Sequence, residues 1–254
     1  MKFVRFEYGS ITSYGLVQEE TVWVLAGSPF DSYQITDTHY ALPEVTLLSP
    51  CLPTKGVCIG LNYRDHAQEM GVPIPSSPIV FIKPSGCTIG PLSPILYPPL
   101  SKRIDYEAEL AIVIGKKSVA VSEKEAPQFI LGYTCANDVT ARDFQGKSGP
   151  WAVAKGFDTF MPLGPVITDE IDPANVHITS RLNGEVRQFS NTKNLIFTSH
   201  FLVSYLSHIM TLYPGDVILT GTPAGIGPMH IGDTIEVEIE GIGILTNKIA
   251  SRLQ

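Results

Sequence analysis

Several features are missing from this 254-residue chain, and each absence closes off a class of protein. Its four cysteines, Cys51, Cys58, Cys87 and Cys135, form no Cys-x-x-Cys pair and no dense framework. A dense disulfide framework is therefore not indicated, and free thiols in a reducing compartment are expected. No apolar run approaches the roughly 20 residues of a membrane span. The opening Met1-Lys2-Phe3-Val4-Arg5-Phe6 interleaves charge with apolar residues, unlike a secretory signal. A cytoplasmic location with no membrane partner follows as the expectation. Basic residues are in deficit, 18 Lys and Arg against 25 Asp and Glu, and they are scattered along the chain. A phosphate backbone is a poor partner for such a surface, so no nucleic acid is expected. Low-complexity tracts and internal repeats are also absent.

What is present is enough apolar material, 44% of residues, to build a core without staples. A metal site in such a chain serves chemistry rather than folding. Short β-forming runs dominate the sequence: Lys2 to Tyr8, Ser13 to Gln18, Thr21 to Leu25, Gly56 to Ile59, Tyr106 to Ile114, Ile130 to Asn137 and several beyond Pro165. Asn183-Gly184 marks a tight hairpin. One long helical pattern runs from Leu195 to Leu212 and stops at Pro214-Gly215. The fold class predicted is mainly β, a β-rich α+β arrangement with few helices. Ser49-Pro50-Cys51-Leu52-Pro53 breaks any element. It separates a small N-terminal β domain, residues 1–48, from a main domain over residues 55–254.

Glu107 and Glu109 lie two apart on the predicted strand Tyr106 to Ile114, so both point to one face about 7 Å apart. The strand continues as Leu110-Ala111-Ile112-Val113-Ile114, apolar on both faces and hence buried at that end. Two buried carboxylates on one face repel each other and lose hydration, a conflict that a divalent cation removes. Oxygen donors favour Mg²⁺, Mn²⁺ or Ca²⁺. Spacing alone leaves open the alternative that this strand end is in water. Asp138, at the end of the next apolar strand, is a natural third ligand; Asp143 competes with it, and an Asx turn is the alternative.

His66 and Glu69 are i and i+3 on a short predicted helix that Asn62 can cap and Gly71 and Pro73 end. A carboxylate beside an imidazole orients the ring as a general base requires. Two turns of helix are unstable alone, so this segment orders only when something packs on it, as a lid does. Lys155 sits in the small apolar run Trp151-Ala152-Val153-Ala154, which would partly bury its ammonium. Gly146-Lys147-Ser148 lacks the first glycine of a phosphate-binding loop, Ala141 standing there instead. The glycine-rich stretch Gly221 to Gly227 follows a strand but leads to Pro228 and more strands, not to the helix a dinucleotide needs. It reads as a loop whose backbone can closely approach a ligand, and no organic cofactor is expected.

Taken in order, Gly60-Leu61-Asn62-Tyr63 with Asp65-His66, Phe81-Ile82-Lys83-Pro84-Ser85, Asp105-Tyr106-Glu107-Ala108-Glu109-Leu110, Asn137-Asp138-Val139-Thr140-Ala141-Arg142-Asp143, Ala154-Lys155-Gly156-Phe157-Asp158 and Gly215-Asp216-Val217-Ile218-Leu219-Thr220-Gly221-Thr222-Pro223 resemble the fumarylacetoacetate hydrolase family. The resemblance runs from about Gly56 to the C-terminus. It implies a mixed β-sandwich roll with Mg²⁺ or Mn²⁺ held by Glu107, Glu109 and Asp138. It further implies a catalytic lid dyad at His66 and Glu69, an active-site lysine at Lys155, and a substrate pocket lined by Arg142, Gln145, Thr222, Lys83 and Ser85. The implied activity is metal-dependent C–C bond hydrolysis of an acylpyruvate-like 2-oxo acid through an enolate. Isomerisation of 2-hydroxyhepta-2,4-diene-1,7-dioate, or decarboxylation or tautomerisation of oxaloacetate, fits the same site, and a non-catalytic ligand-binding relative is the alternative outside enzymes. A small anionic substrate and a homodimer complete the expectation.

Overall fold

The computed structural model describes residues 1–146 and 151–252. Strands dominate, with three α-helices among these residues: α1 (Arg64–Met70), α2 (Ala152–Lys155) and α3 (Ser199–Ile209). This is the β-rich class predicted. The two lysine-loop residues Lys147 and Ser148 lie outside the described residues.

A twelve-stranded sheet forms the spine. Its centre is Ala108–Ile114, buried at all seven positions and flanked antiparallel by Ile130–Asn137 and Val217–Leu219. Both faces of this strand are covered, which explains its unbroken apolar run. Val217–Leu219 in turn pairs parallel with Lys55–Gly60, and that strand pairs antiparallel with Ile79–Pro84. On the other side, Met161–Thr168 joins Ile130–Asn137 to Lys2–Tyr8, so the N-terminal strands continue the same sheet. A five-stranded sheet, ordered Glu185–Asn191, His177–Leu182, Thr234–Ile239, Gly243–Ser251 and Ile95–Tyr97, packs beside it. Thr140–Ala141, Ile104–Tyr106 and Gly227–Met229 make a third, small sheet.

Four sequence expectations need correction. The single strand Tyr106 to Ile114 is two strands in two sheets, Ile104–Tyr106 and Ala108–Ile114, interrupted at Glu107. Asn62 does not cap α1. Its side chain instead bridges to Phe197 and to the carbonyl of Thr220, and Asp65 accepts from the His66 N–H at 2.8 Å. The long helix is shorter than its pattern, because the Thr198 hydroxyl accepts from Phe201 N–H and starts α3 there. Tyr33–Ala41 is a strand the sequence did not announce: it pairs with Thr21–Gly27, and every side chain on it is half-buried or exposed. The Asn183-Gly184 hairpin is as predicted, both residues having positive φ.

Asp216 ties the parallel pair together at its base. Its carboxylate accepts from Thr54 N (2.9 Å), Thr54 Oγ1 (2.7 Å), Lys55 N (3.2 Å) and Tyr213 N (2.9 Å), and pairs with Lys55 Nζ. Burial pushes its pKa up, but these donors together bring it below the ordinary 3.8. Its stabilising effect is therefore full above pH 3.8 and lost as pH falls through the depressed folded value. The variant D216N should lower unfolding free energy at pH 7 by about 2 kcal/mol, and the gap to wild type should close below pH 4. Urea melts between pH 3 and 7 measure this; a gap independent of pH would contradict it.

Candidate metal centre and active site

The interruption at Glu107 has a local cause. Glu107 N–H donates to the Asn137 side chain (3.0 Å) and Ala108 N–H to the Gln188 side chain (3.0 Å), so neither joins a strand ladder. The Glu107 carbonyl accepts from Asp138 N–H at 2.9 Å. Glu107 and Glu109 share one space with Asp138: one carboxylate oxygen from each lies within 4.8 Å of the others, and all three residues are buried. The convergence anticipated from the spacing is thus present, although the strand is interrupted at Glu107.

Cations surround two of the three acids. Glu107 Oε2 accepts from Lys155 Nζ (2.8 Å), and its Oε1 from Arg142 (2.6 Å) and Thr140 Oγ1 (3.1 Å). Burial alone would raise the Glu107 pKa; Lys155 and Arg142 outweigh it and bring it down to about 2. Asp138 pairs with Lys83 Nζ through one oxygen and Lys155 Nζ through the other, both at 2.6 Å. Burial pulls the Lys155 ammonium down, and the Asp138 and Glu107 charges more than restore it, so it stays protonated. Glu109 differs. Among the described residues its carboxylate accepts only from Gly221 N–H, at 2.6 Å. Burial, then the Asp138 and Glu107 charges, push its pKa well above 4.5. A buried acid with no cation of its own, facing two others, fits a divalent ion as the missing charge. The donors are all oxygen, as Mg²⁺, Mn²⁺ or Ca²⁺ prefers.

Around the triad, Arg142 spends three N–H groups on Asp105, Gln145 and Glu107. This brings Gln145 to the site and leaves the guanidinium, with five N–H donors, spare capacity. Thr222 is also there, but its hydroxyl donates to the Ala108 carbonyl (2.9 Å) and accepts from Gln188 (2.8 Å), which makes it part of the scaffold. Lys83 is fully buried and bound to Asp138 and the Val139 carbonyl, so it faces that carboxylate and not open space. Ser85 is exposed on the turn Ser85–Cys87 and hydrogen-bonds to none of these groups. Asp143, the rival for Asp138, binds Ser101 and Lys102 elsewhere.

The His66–Glu69 pair forms as predicted, Nδ1 to Oε2 at 2.9 Å, with His66 buried and Glu69 at the surface. The helix that carries it is pinned on two sides. Arg64 and Asp65 bond to residues 190–195, and Glu69 Oε1 accepts from Gly225 N–H at 3.1 Å. The glycine-rich loop approaches the protein closely. A Cβ at Gly221 (φ +98°) would meet Asn62 Cβ at 2.8 Å, and Gly221 N–H reaches Glu109 only because that space is free. One loop therefore holds a candidate ligand at Gly221 and the dyad at Gly225. Asp105, Asn137 and Gln188 were not singled out from sequence. Asp105 and Asn137 open two of the quoted motifs, whereas nothing in the sequence around Gln188 marks it out.

Three buried carboxylates that could hold a divalent ion, and a His–Glu pair anchored to the same loop, make up an enzyme-like site in a β-rich fold. Comparison with known proteins gives the family. Residues 55–250 match the family described as fumarylacetoacetate (FAA) hydrolase, C-terminal, and residues 1–50 match Rv2993c-like, N-terminal. The chain belongs to the fumarylacetoacetate hydrolase family. It is 44% identical to the mitochondrial oxaloacetate tautomerase Fahd2a of Rattus norvegicus, over 81% of this chain and 70% of that one. The crystal structure of 2-hydroxyhepta-2,4-diene-1,7-dioate isomerase from Mycobacterium marinum superposes with a TM-score of 0.93 at 39% identity, covering 100% of both chains. Fumarylacetoacetate hydrolase from Exiguobacterium antarcticum gives 0.89 at 36%, covering 99% of this chain and 100% of that one. Among the described residues no helix is long and apolar enough to cross a membrane.

The Glu109 carboxyl gives a pH-dependent test. Because its folded pKa is raised, it costs the metal-free protein stability once pH exceeds 4.5, increasingly up to the folded value. Metal-free E109Q should therefore melt above metal-free wild type at pH 8, with the two converging toward pH 5. Mn²⁺ should raise the Tm of wild type and leave E109Q nearly unchanged. Thermal melts in chelator and in Mn²⁺ distinguish these; an E109Q protein that melts lower at pH 8 would show that Glu109 carries no uncompensated charge.

Proposed function

We propose that this protein is a divalent-metal enzyme that moves a proton on the enol or enolate of a small 2-oxo acid. The observation that carries the reading is the buried meeting of Glu107, Glu109 and Asp138 with Lys155 and Arg142. The three carboxylates would hold Mg²⁺ or Mn²⁺, which when bound supplies Lewis acidity where negative charge gathers on the 2-oxo oxygen. Lys155, with one N–H beyond its two carboxylate bonds, and Arg142 add fixed donors at that charge. Glu69 accepts from His66 Nδ1, which leaves Nε2 to take a proton from one carbon or oxygen of the substrate and return it to another. Gly225 holds Glu69 in turn, so the base is oriented before substrate arrives. The named activities of the tautomerase and the isomerase, both proton shifts on 2-oxo or 2-hydroxy-diene acids, support this choice.

Hydrolysis is the second reading, favoured by the complete His66–Glu69 pair and by the hydrolase among the similar structures. His66 Nε2 would then take a proton from water as it adds to the distal carbonyl of an acylpyruvate. The C–C bond breaks, releasing the acyl group as a carboxylate and the remainder as pyruvate after protonation.

A panel of oxaloacetate, the heptadienedioate, acetylpyruvate and fumarylpyruvate with Mn²⁺ separates the two. Proton transfer predicts enol–keto or double-bond shifts with no change in carbon count, whereas release of a carboxylate from the acylpyruvates would favour hydrolysis. The variant H66A should lose about 10²- to 10⁴-fold in rate while binding Mn²⁺ as wild type does. Unchanged turnover in H66A would remove His66 from the chemistry.

A further inference from the structure

We infer that Gln188 is a positioning residue that couples the metal ligands to the lid helix α1, an inference that rests on the metal reading above. The strand Glu185–Asn191 is mostly open to solvent, with Glu185, Val186, Arg187 and Phe189 all exposed. Gln188 alone among the first five points inward and is fully buried. Its amide is used to capacity. Oε1 accepts from Ala108 N–H and from Ser180 Oγ, both at 3.0 Å; Nε2 donates to Thr222 Oγ1 at 2.8 Å and to the Pro223 carbonyl at 2.9 Å. Two acceptor sites and two donors are all that a glutamine has. The orientation is fixed as well, since the flipped amide would set NH₂ against the Ala108 N–H and oxygen against the Pro223 carbonyl.

The partners give this amide its reach. Ala108 stands between Glu107 and Glu109, and both of its backbone polar groups are taken within the same ring of bonds: N–H by Gln188, C=O by the Thr222 hydroxyl that Gln188 itself holds. The amide thereby sets the backbone from which two of the three carboxylates project. Through Thr222 and Pro223 it also fixes the loop whose Gly221 N–H binds Glu109 and whose Gly225 N–H binds Glu69 of the dyad. That loop lies flat on the strand at this point. A Cβ at Gly225 (φ +97°) would come within 2.3 Å of the Arg187 carbonyl and 3.4 Å of Gln188 Cγ, so the residue there has to lack one. A side chain from the five-stranded sheet thus links the strand that carries the candidate ligands in the large sheet to the anchor of α1.

Replacing Gln188 by methionine keeps the volume and removes all four bonds. In Q188M that remains folded by circular dichroism, Mn²⁺ binding by calorimetry should weaken about 10- to 100-fold, the range for groups that orient ligands. Amide hydrogen exchange over α1 should quicken in the metal-free protein. As a control, I178A removes buried bulk from the neighbouring strand and should lower Tm while leaving Mn²⁺ affinity at the wild-type value. Should Q188M not fold, Q188E, which keeps an acceptor for Ala108 N–H and loses both donors, is read by the same titration and should weaken in the same direction. A Q188M affinity within twofold of wild type, or an equal weakening in I178A, overturns the positioning role; unchanged exchange in α1 overturns the link to the lid. Wild type that takes up no Mn²⁺ would overturn the metal reading itself, and the α1 exchange would then decide the coupling alone.

Discussion

Repulsion among buried carboxylates is the constraint around which this molecule is arranged. Asp105, Glu107, Glu109 and Asp138 are all withdrawn from water within a few residues of one another along two chain segments. In a medium of low dielectric such a group cannot stand unless each charge meets a partner or takes up a proton. Lys83, Lys155 and Arg142 answer three of them, and they do so by sharing: Lys155 bridges Glu107 and Asp138, and Arg142 bridges Asp105 and Glu107. Glu109 is left over. The positive residues that look like substrate contacts in the sequence are thus, in the fold, first of all the counterions that let the acids approach.

How much of this was legible beforehand depended on whether the signal was local. The Glu-x-Glu spacing, the apolar run after it and the Asn-Asp at the end of the neighbouring strand are short-range patterns, and they located the carboxylates correctly. The interruption at Glu107 was not legible. Strand alternation suggested a regular face, whereas the structure breaks the strand at Glu107 and satisfies the freed N–H groups with Asn137 and Gln188. Gln188 is 80 residues away in the chain, and no periodicity announces a contact across that separation. The same applies to Asn62, whose type suits a helix cap but whose partners lie on Phe197 and Thr220. Tyr33–Ala41 escaped notice for a different reason: with little of it buried, it had no apolar alternation to show.

The His66–Glu69 helix illustrates how a marginal element becomes defined. Seven residues cannot hold a helix by their own hydrogen bonds, and α1 borrows its order from polar contacts at both ends: Asn62 before it, Arg64 at its start, Glu69 within its last turn, Gly71 in the left-handed conformation as its stop. Such an element is easily displaced and as easily replaced, because few apolar contacts have to be broken and the same few bonds guide it back. Under the proposed function, that would suit a segment which admits a substrate and then excludes water from it.

The joining of Lys2–Tyr8 to Met161–Thr168 has its own consequence. Phe3, Leu16 and Leu25 share a core with Met161, Leu163 and Ile167, so the leading strands act as a cover over apolar surface that belongs to the catalytic sheet. A shortened form of the chain would bare that surface together with part of a strand edge, the combination that recruits other copies into aggregates. Trimming the protein to residues 55–250 would thus trade a covered apolar surface for an adhesive one, even with every acidic side chain still in place.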